Sequence, residues 1–295
     1  MSTAPETHHG QTTPEAMVGG VVRLVSLPEV CLRVSEMLED PLTTANDLGK
    51  VIGRDTGLTA RLLKIVNSAF YGFPSRIETV SRAVTVIGMR ELRGLVLAAS
   101  AIEAFSKVST DVLNMAHFWR HSVYCGVVAQ ILATHCRVLH GERLFVAGLL
   151  HDIGKLIIAN KKPDVAIEVM RAATEEEELD FEVETRLLGF DHAELGGLLL
   201  EQWKMPESLC DAVRYHHAPQ HAKTNMLDTS LIHIANVFTC IAELGLDIES
   251  SLQPIEDFAW KTSGLSPDIM HDVLAEAGPR FTDALEAILP RSYLS

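Results

Sequence analysis

From Val18 to Phe105 apolar side chains recur at the three- and four-residue spacing of a helix, and nothing there alternates with period two over a convincing span. This pattern limits the region to short amphipathic helices that bury one stripe each. Val30, Val34, Met37 and Leu38 follow Leu27-Pro28, where proline suits a first helical turn, and Asp40-Pro41 closes the segment. Thr44, with Asp47 three residues on, has the form of a capping box ahead of Leu48, Val51 and Ile52. Leu58, Leu62, Leu63 and Val66 make the next stripe. Asn67-Ser68 and Tyr71-Gly72-Phe73-Pro74 interrupt it before Ile77, Val80, Ala83, Val84 and Ile87, with Gly88 as a helix stop; Leu92 to Phe105 reads as one more buried helix.

At 295 residues, the chain can build one large core or two moderate ones. No apolar run approaches the roughly 20 residues needed to cross a bilayer, and the N-terminus has neither the basic nor the apolar region of a secretory signal, so a cytoplasmic protein with no membrane partner is expected. Residues 1–15, rich in Thr, Pro, Gly and Gln, read as a disordered tail. Five scattered cysteines without a CxxC spacing read as small buried hydrophobes in a reducing compartment. The formal net charge of −14 repels nucleic acid. A local basic surplus (Lys50, Arg54, Arg61, Lys64, Arg76, Arg82, Arg90, Arg93) still admits a helix-turn-helix reading of residues 44–67; a plain helical bundle has the same spacing and agrees with the overall acidity. The acidic run Glu175 to Glu178, Asp180, Glu182 and Glu184 reads as a solvated face, with a partner contact as the alternative.

After the polar break Ser106 to Thr110, a second region carries the chemistry. Phe118, His121, Val123, Val127, Val128, Ile131 and Leu132 share a helical face, so His121 lies on or beside a buried surface. Residues 144–151 form an apolar helix running into His151-Asp152-Ile153-Gly154-Lys155, with Gly154 as terminator and Lys155 able to reach back. His192 and His216-His217 lie in further helix-patterned stretches. Five imidazoles and one carboxylate on separate helices can build a buried site for iron, manganese or, less well, zinc. His117, His135, His140, His221, His233 and His271 read as surface or core histidines. Ser266-Pro267 opens a helix that Gly278-Pro279 ends, and Phe281, Leu285 and Ile288 mark a final short one.

The string Asp55-x-x-Leu58-Thr59-Ala60-x-Leu62-Leu63-x-x-Val66-Asn67-Ser68-Ala69-Phe70-Tyr71-Gly72, with Leu27-Pro28 before it and Ile77 and Ala83-Val84-x-x-Ile87-Gly88 after it, resembles the signature of the HDOD domain, the HD-related output domain of bacterial signalling proteins. The resemblance covers residues 18 to about 245 and implies an all-helical module that serves as an output or scaffold element, mostly without catalysis. His151-Asp152, followed by Gly-Lys, resembles the core of the HD metal-dependent phosphohydrolases, and His121 fits their upstream histidine. His192 and His216-His217 resemble the added ligands of the HD-GYP branch. In an active member the metal site at Asp152 would supply the attacking hydroxide, and Lys155 would suit a phosphate. Two departures stand out: Ala218-Pro219-Gln220-His221 replaces Gly-Tyr-Pro, and Asn236, at most a weak ligand, stands where an aspartate is expected.

The expectation is an all-α, two-lobed chain: a tail (1–15), an N-terminal helical bundle (16–108) and an HD-like bundle with C-terminal helices (109–295). Its function is signal output or scaffolding through protein partners, with a divalent metal centre and a possible nucleotide or phosphate ligand. A metal-dependent phosphohydrolase and a DNA-binding regulator are the alternatives.

Overall fold

Local side-chain chemistry sets most of the helix ends. The computed structural model describes residues 13–22, 28–68, 71–106, 112–251, 254–289 and 293, apart from the side chains of Val22 and Arg90. The expected tail therefore lies outside the described residues up to position 12, as do Leu27, Ala69-Phe70 of the signature string, and most of the break before the second region; Pro14 and Glu15 already belong to a helix. The first six helices are α1 (Pro14–Val22), α2 (Glu29–Leu38), α3 (Ala45–Ile52), α4 (Thr56–Val66), α5 (Val80–Ile87) and α6 (Met89–Ser106). Thr44 caps α3 in the expected box: its hydroxyl accepts the Asp47 N–H at 3.2 Å and its own N–H donates to the Asp47 carboxylate at 3.3 Å. Asp55 and Thr79 cap α4 and α5 by one bond each, accepting the N–H groups of Leu58 and Arg82. Gly88, at φ +91°, ends α5 in a conformation that L side chains rarely adopt. Asn67 of the signature string clamps the loop after α4, its amide donating to the carbonyls of Leu63 and Ile77 and accepting the Ile77 N–H, each at 2.7 Å.

The second group comprises α7 (Met115–His135), α8 (Glu142–Leu150), α9 (Ile153–Lys161), α10 (Pro163–Glu175), α11 (Asp180–Leu188), α12 (His192–Gln202), α13 (Glu207–Arg214), α14 (Met226–Leu244), α15 (Asp257–Ser263) and α16 (Ile269–Ile288). No strand occurs among the described residues. Helix α7 is the axis of this group, packed by α8, α14 and α16, while α12 lies against α9 and α13. Helix α1, first in sequence, packs on α9 and α12 of this second group. The two lobes share one continuous apolar core, joined where α6 meets α8 and α4 meets α16. Helix α14 has the length and composition to cross a membrane, but most of it is buried here, with Asp228, His233 and Asn236 on it.

Two helix ends differ from the sequence reading. Gly278-Pro279 does not end a helix, because α16 runs through Pro279. Proline removes one backbone hydrogen bond, and the stripe Val273, Ala277, Ala284, Leu285 and Ile288, buried on both sides of it, keeps the helix in place. Gly154 does not terminate α8 either: it is the second residue of α9.

Four of the basic residues of the N-terminal lobe turn to partners within the chain. Arg61 pairs with Glu103, Arg93 with Glu39 and Lys50 with Asp47, and Lys64 donates to the Glu286 carbonyl of α16.

Candidate metal centre

Close helix crossings assemble the centre, and glycines allow them. A Cβ at Gly148 would lie 2.7 Å from the Gly126 backbone, so α7 and α8 cross at van der Waals contact of their main chains. This brings the ring of His151, just past α8, to 5.3 Å from that of His121 on α7. A Cβ at Gly154 would lie 1.9 Å from the carbonyl oxygen of His192, so only glycine lets the start of α9 meet the start of α12. Asp152 and His192 are thereby placed side by side.

The backbone fixes two of the ring tautomers. His151 Nδ1–H donates to the Gly148 carbonyl at 2.6 Å, and His216 Nδ1–H donates to the Val213 carbonyl at 2.7 Å. Each ring therefore presents a bare Nε2 to the interior. Both Nε2 atoms are buried without a hydrogen-bond partner, and so is Asp152 Oδ1. Oδ1 lies 3.0 Å from His192 Nε2, a contact without hydrogen-bond alignment, 3.4 Å from His151 Nε2 and 3.8 Å from His216 Nε2. The two bare ring nitrogens, with no donor beside them, cost about 1–3 kcal/mol each. A divalent cation among them removes that cost. The residues present therefore fit a metal: the ligand atoms of His121, His151 and Asp152 lie within 4.8 Å of one another, as do those of His192, His216 and His217, and Asp152 Oδ1 lies between the two groups, nitrogen-rich sets of the kind that iron, manganese and zinc accept.

His192 is held differently. Its Nδ1 lies 2.6 Å from Glu184 Oε2, which also accepts its backbone N–H at 2.7 Å. Burial works against a charged ring, but the Glu184 and Asp152 carboxylates outweigh it and lift His192 to about 10. The ring is thus an imidazolium at neutral pH, and its Nε2–H points to His217 Nε2 at 2.9 Å. Burial pushes His151 down to about 4 and His216 and His217 well below the usual histidine range, so these rings are neutral and ready to ligate. Burial works against the Asp152 carboxylate, yet the charges of His151, Lys155 and His192 hold its pKa well below the usual range. His217 stacks on Phe181, ring centres 4.1 Å apart.

His121 and Asn236 form the outer edge. His121 Nδ1 lies 2.8 Å from Glu243 Oε2, and its Nε2 lies 3.2 Å from Asn236 Oδ1 and 3.7 Å from Asp152 Oδ2. Burial lowers His121, but the Glu243 hydrogen bond and charge leave it raised overall. Lys155 reaches back as expected, 3.1 Å from Asp152 Oδ2 and 3.0 Å from Asp180 Oδ2. All eight residues singled out from the sequence therefore lie in one neighbourhood, His121 and Asn236 on its rim.

Other residues of the site escaped the sequence reading. Asp180 and Glu184 stand in the acidic run taken for a solvated face, yet Glu184 is 2% exposed and both turn to the site. Their spacing of four residues on α11 puts them on one helical face, which was the available signal. Buried Asp211 pins the chain just after the segment that replaces Gly-Tyr-Pro, accepting the N–H groups of Lys223 and Thr224 and the Thr224 hydroxyl, each at 2.9 Å. His233, expected only as surface or core, is core: it donates to the His216 carbonyl at 2.7 Å and accepts the Glu256 N–H at 3.0 Å.

The family model for the HDOD domain matches residues 24–219. An uncharacterised protein of Treponema pallidum (strain Nichols) is 29% identical over 198 residues; the match takes in 66% of this chain but spans only 38% of the length of that curated relative. Among crystal structures, an HDOD domain protein with unknown function from Geobacter sulfurreducens matches with a TM-score of 0.74 at 22% identity, covering 94% of this chain and 99% of that one. A "Putative phosphohydrolase" from Shewanella amazonensis SB2B matches with a TM-score of 0.72 at 24% identity, covering 92% and 98%. At these identities the structural likeness establishes the fold alone.

Proposed function

The chain belongs to the HDOD domain family, and from that premise we propose that it is a cytoplasmic signal-output or scaffold module whose HD-like centre binds a divalent metal without turning over a substrate. The observation that carries the metal reading is the trio of buried, unpaired acceptors His151 Nε2, His216 Nε2 and Asp152 Oδ1. A divalent ion held by them, together with His192, supplies the positive charge that locks α8, α9, α12 and the segment after α13 together. Glu184 orients His192, and the main-chain carbonyls of Gly148 and Val213 orient the other two rings. The five cysteines are free thiols, consistent with a reducing compartment.

The charges beside the centre weigh against hydrolysis of a phosphate ester. Asp180 and Glu243 are the more exposed charged groups beside the centre, and the nearby ammonium, Lys155, is already matched by Asp152 and Asp180. Carboxylates beside the centre repel a polyanion. The segment after His217 is held by Asp211 and lacks the Gly-Tyr-Pro element, and Asn236 adds no charge. Lys155 beside Asp152, together with the His/Asp groups themselves, favours a metal-dependent phosphohydrolase as the second reading.

The test is to incubate metal-loaded protein with cyclic di-GMP, nucleotides and phosphomonoesters, followed by chromatography, beside thermal unfolding with and without chelator. Metal-dependent stabilisation without product supports the proposal. Product that accumulates over many turnovers and vanishes in Asp152→Ala favours the enzyme, and indifference to both metal and chelator removes the metal centre.

A further inference from the structure

Helix α1 (Pro14–Val22) precedes the residues matched to the HDOD domain, yet it packs on the second lobe, against α9 and α12. Met17, Val18 and Val21 are buried, and their spacing puts all three on one helical face. Among the described residues no hydrogen bond or ion pair joins α1 to α9 or α12. The docking of α1 therefore rests on apolar contact.

Little else holds this helix. Nine residues are too few for a helix to persist in water by itself, and the pair Gly19-Gly20 weakens it further. A Cβ at Gly20 would lie 3.2 Å from Cε of Lys161, the last residue of α9, whereas one at Gly19 would meet nothing within 4 Å. Close approach to α9 accounts for Gly20, and nothing in the packing accounts for Gly19. Charge works against docking as well. The Glu194 carboxyl on α12 is raised by burial first and by Asp191 next, and Glu15 of α1 adds to the repulsion. Such a segment becomes a helix only where it lands, and attachment to the same chain supplies the high local concentration that it needs.

We propose that α1 is a displaceable strap over a helix-receiving groove formed by α9 and α12, and that a short amphipathic helix of a partner protein takes the groove in its place. The seated α1 defines the chemistry of that ligand: apolar side chains at the positions of Met17, Val18 and Val21, a small residue beside Lys161, and no acid near Glu194. A partner helix free of the glycine at position 19 and the acid at position 15 is stronger than α1 on both counts. Because α9 carries Lys155 and α12 begins with His192, the exchange acts on two helices of the centre. The inference rests on the signal-output reading above and is independent of the metal.

The probe is a fluorescein-labelled synthetic peptide of residues 13–22, titrated with full-length chains and read by fluorescence polarisation. Full-length Val18→Asp, which puts a carboxylate on the buried face of the strap, is expected to bind the peptide about tenfold or more tightly than wild type, whose own α1 fills the groove. A Gly19→Ala peptide is expected to bind that chain about fivefold more tightly still, the helix-propensity gain of alanine over glycine. A Val18→Asp peptide is expected not to bind. A folded Val18→Asp chain that binds no peptide overturns the groove and leaves the signal-output reading, which the turnover assay tests, in place. If Val18→Asp fails to fold, hydrogen exchange of wild type decides: the hydrogen-bonded amides of α1 are expected to exchange about tenfold or more faster than those of α9 and α12. Equal protection makes α1 a fixed part of the core and overturns the strap. A wild-type dimer that Val18→Asp dissociates assigns the groove to α1 of a second copy and overturns the partner assignment.

Discussion

Glu184→Gln separates the two things that Glu184 does to His192. In wild type the ring titrates at about 10, raised by the Glu184 and Asp152 carboxylates against the effect of burial. A metal must displace the proton on Nε2, so at pH 7, about three units below that value, proton competition lowers the apparent affinity by roughly a thousandfold. Between pH 7 and 9 the logarithm of the apparent affinity should rise by about one for each pH unit, and about one proton should leave as each ion binds. The glutamine keeps an acceptor for Nδ1–H but removes the charge, so the His192 value falls and the competition with it. Loss of a carboxylate behind a ligating histidine in turn weakens the metal about 10- to 100-fold. The two effects oppose each other at pH 7 and only the second remains near pH 10. Titration calorimetry in two buffers of different ionisation enthalpy gives both the affinity and the proton count. The variant is expected to bind 10- to 100-fold more weakly than wild type near pH 10, to close or reverse that gap at pH 7, and to release well under one proton there. Parallel pH profiles with equal proton counts would refute the reasoning.

Further outcomes follow from the same geometry. His151→Ala should lower the melting temperature of metal-loaded protein more than the His271→Ala control, and chelator should narrow the gap between wild type and His151→Ala, because an ion at a hundredfold excess over its dissociation constant stabilises by roughly 2.7 kcal/mol. Gly154→Ala, whose new Cβ would collide with the His192 carbonyl, should cost about 3 kcal/mol or more in denaturant unfolding and abolish metal uptake. Gly278→Ala, a helical position with nothing within 4 Å, should instead stabilise by up to about 1 kcal/mol. In chelated protein the His192 contribution to stability is complete below its ordinary value of 6.5 and is lost as pH rises through about 10. The Asp152 contribution is present above the usual carboxylate range and is lost as pH falls below it, so melting temperature against pH should fall away on both sides.

The features legible in the sequence were those that local chemistry decides. Thr44 with Asp47 and Gly88 mark ends of α3 and α5 because each acts within a few residues of itself. The histidines were legible because imidazoles are rare in apolar helical stripes. Glu184 was not, because its burial depends on α11 packing beside α12, and in a string of glutamates nothing local distinguishes the one that turns inward. Gly154 has the composition of a helix terminator, yet its role is a contact with His192, 38 residues away in sequence. Pro279 carried a strong local stop signal, and the buried face of α16 overrode it. Asp211 and His233 shape the segment around the His-His pair through carbonyl and N–H contacts that leave no periodic trace.

Anomalous diffraction at the absorption edge of the loaded metal, on crystals grown without chelator, tests the metal centre most directly. The predicted result is a peak beside Asp152 Oδ1 within reach of His151 Nε2, His192 Nε2 and His216 Nε2. A site without any peak, or with its ion centred on His121 and Asn236 instead, would contradict it.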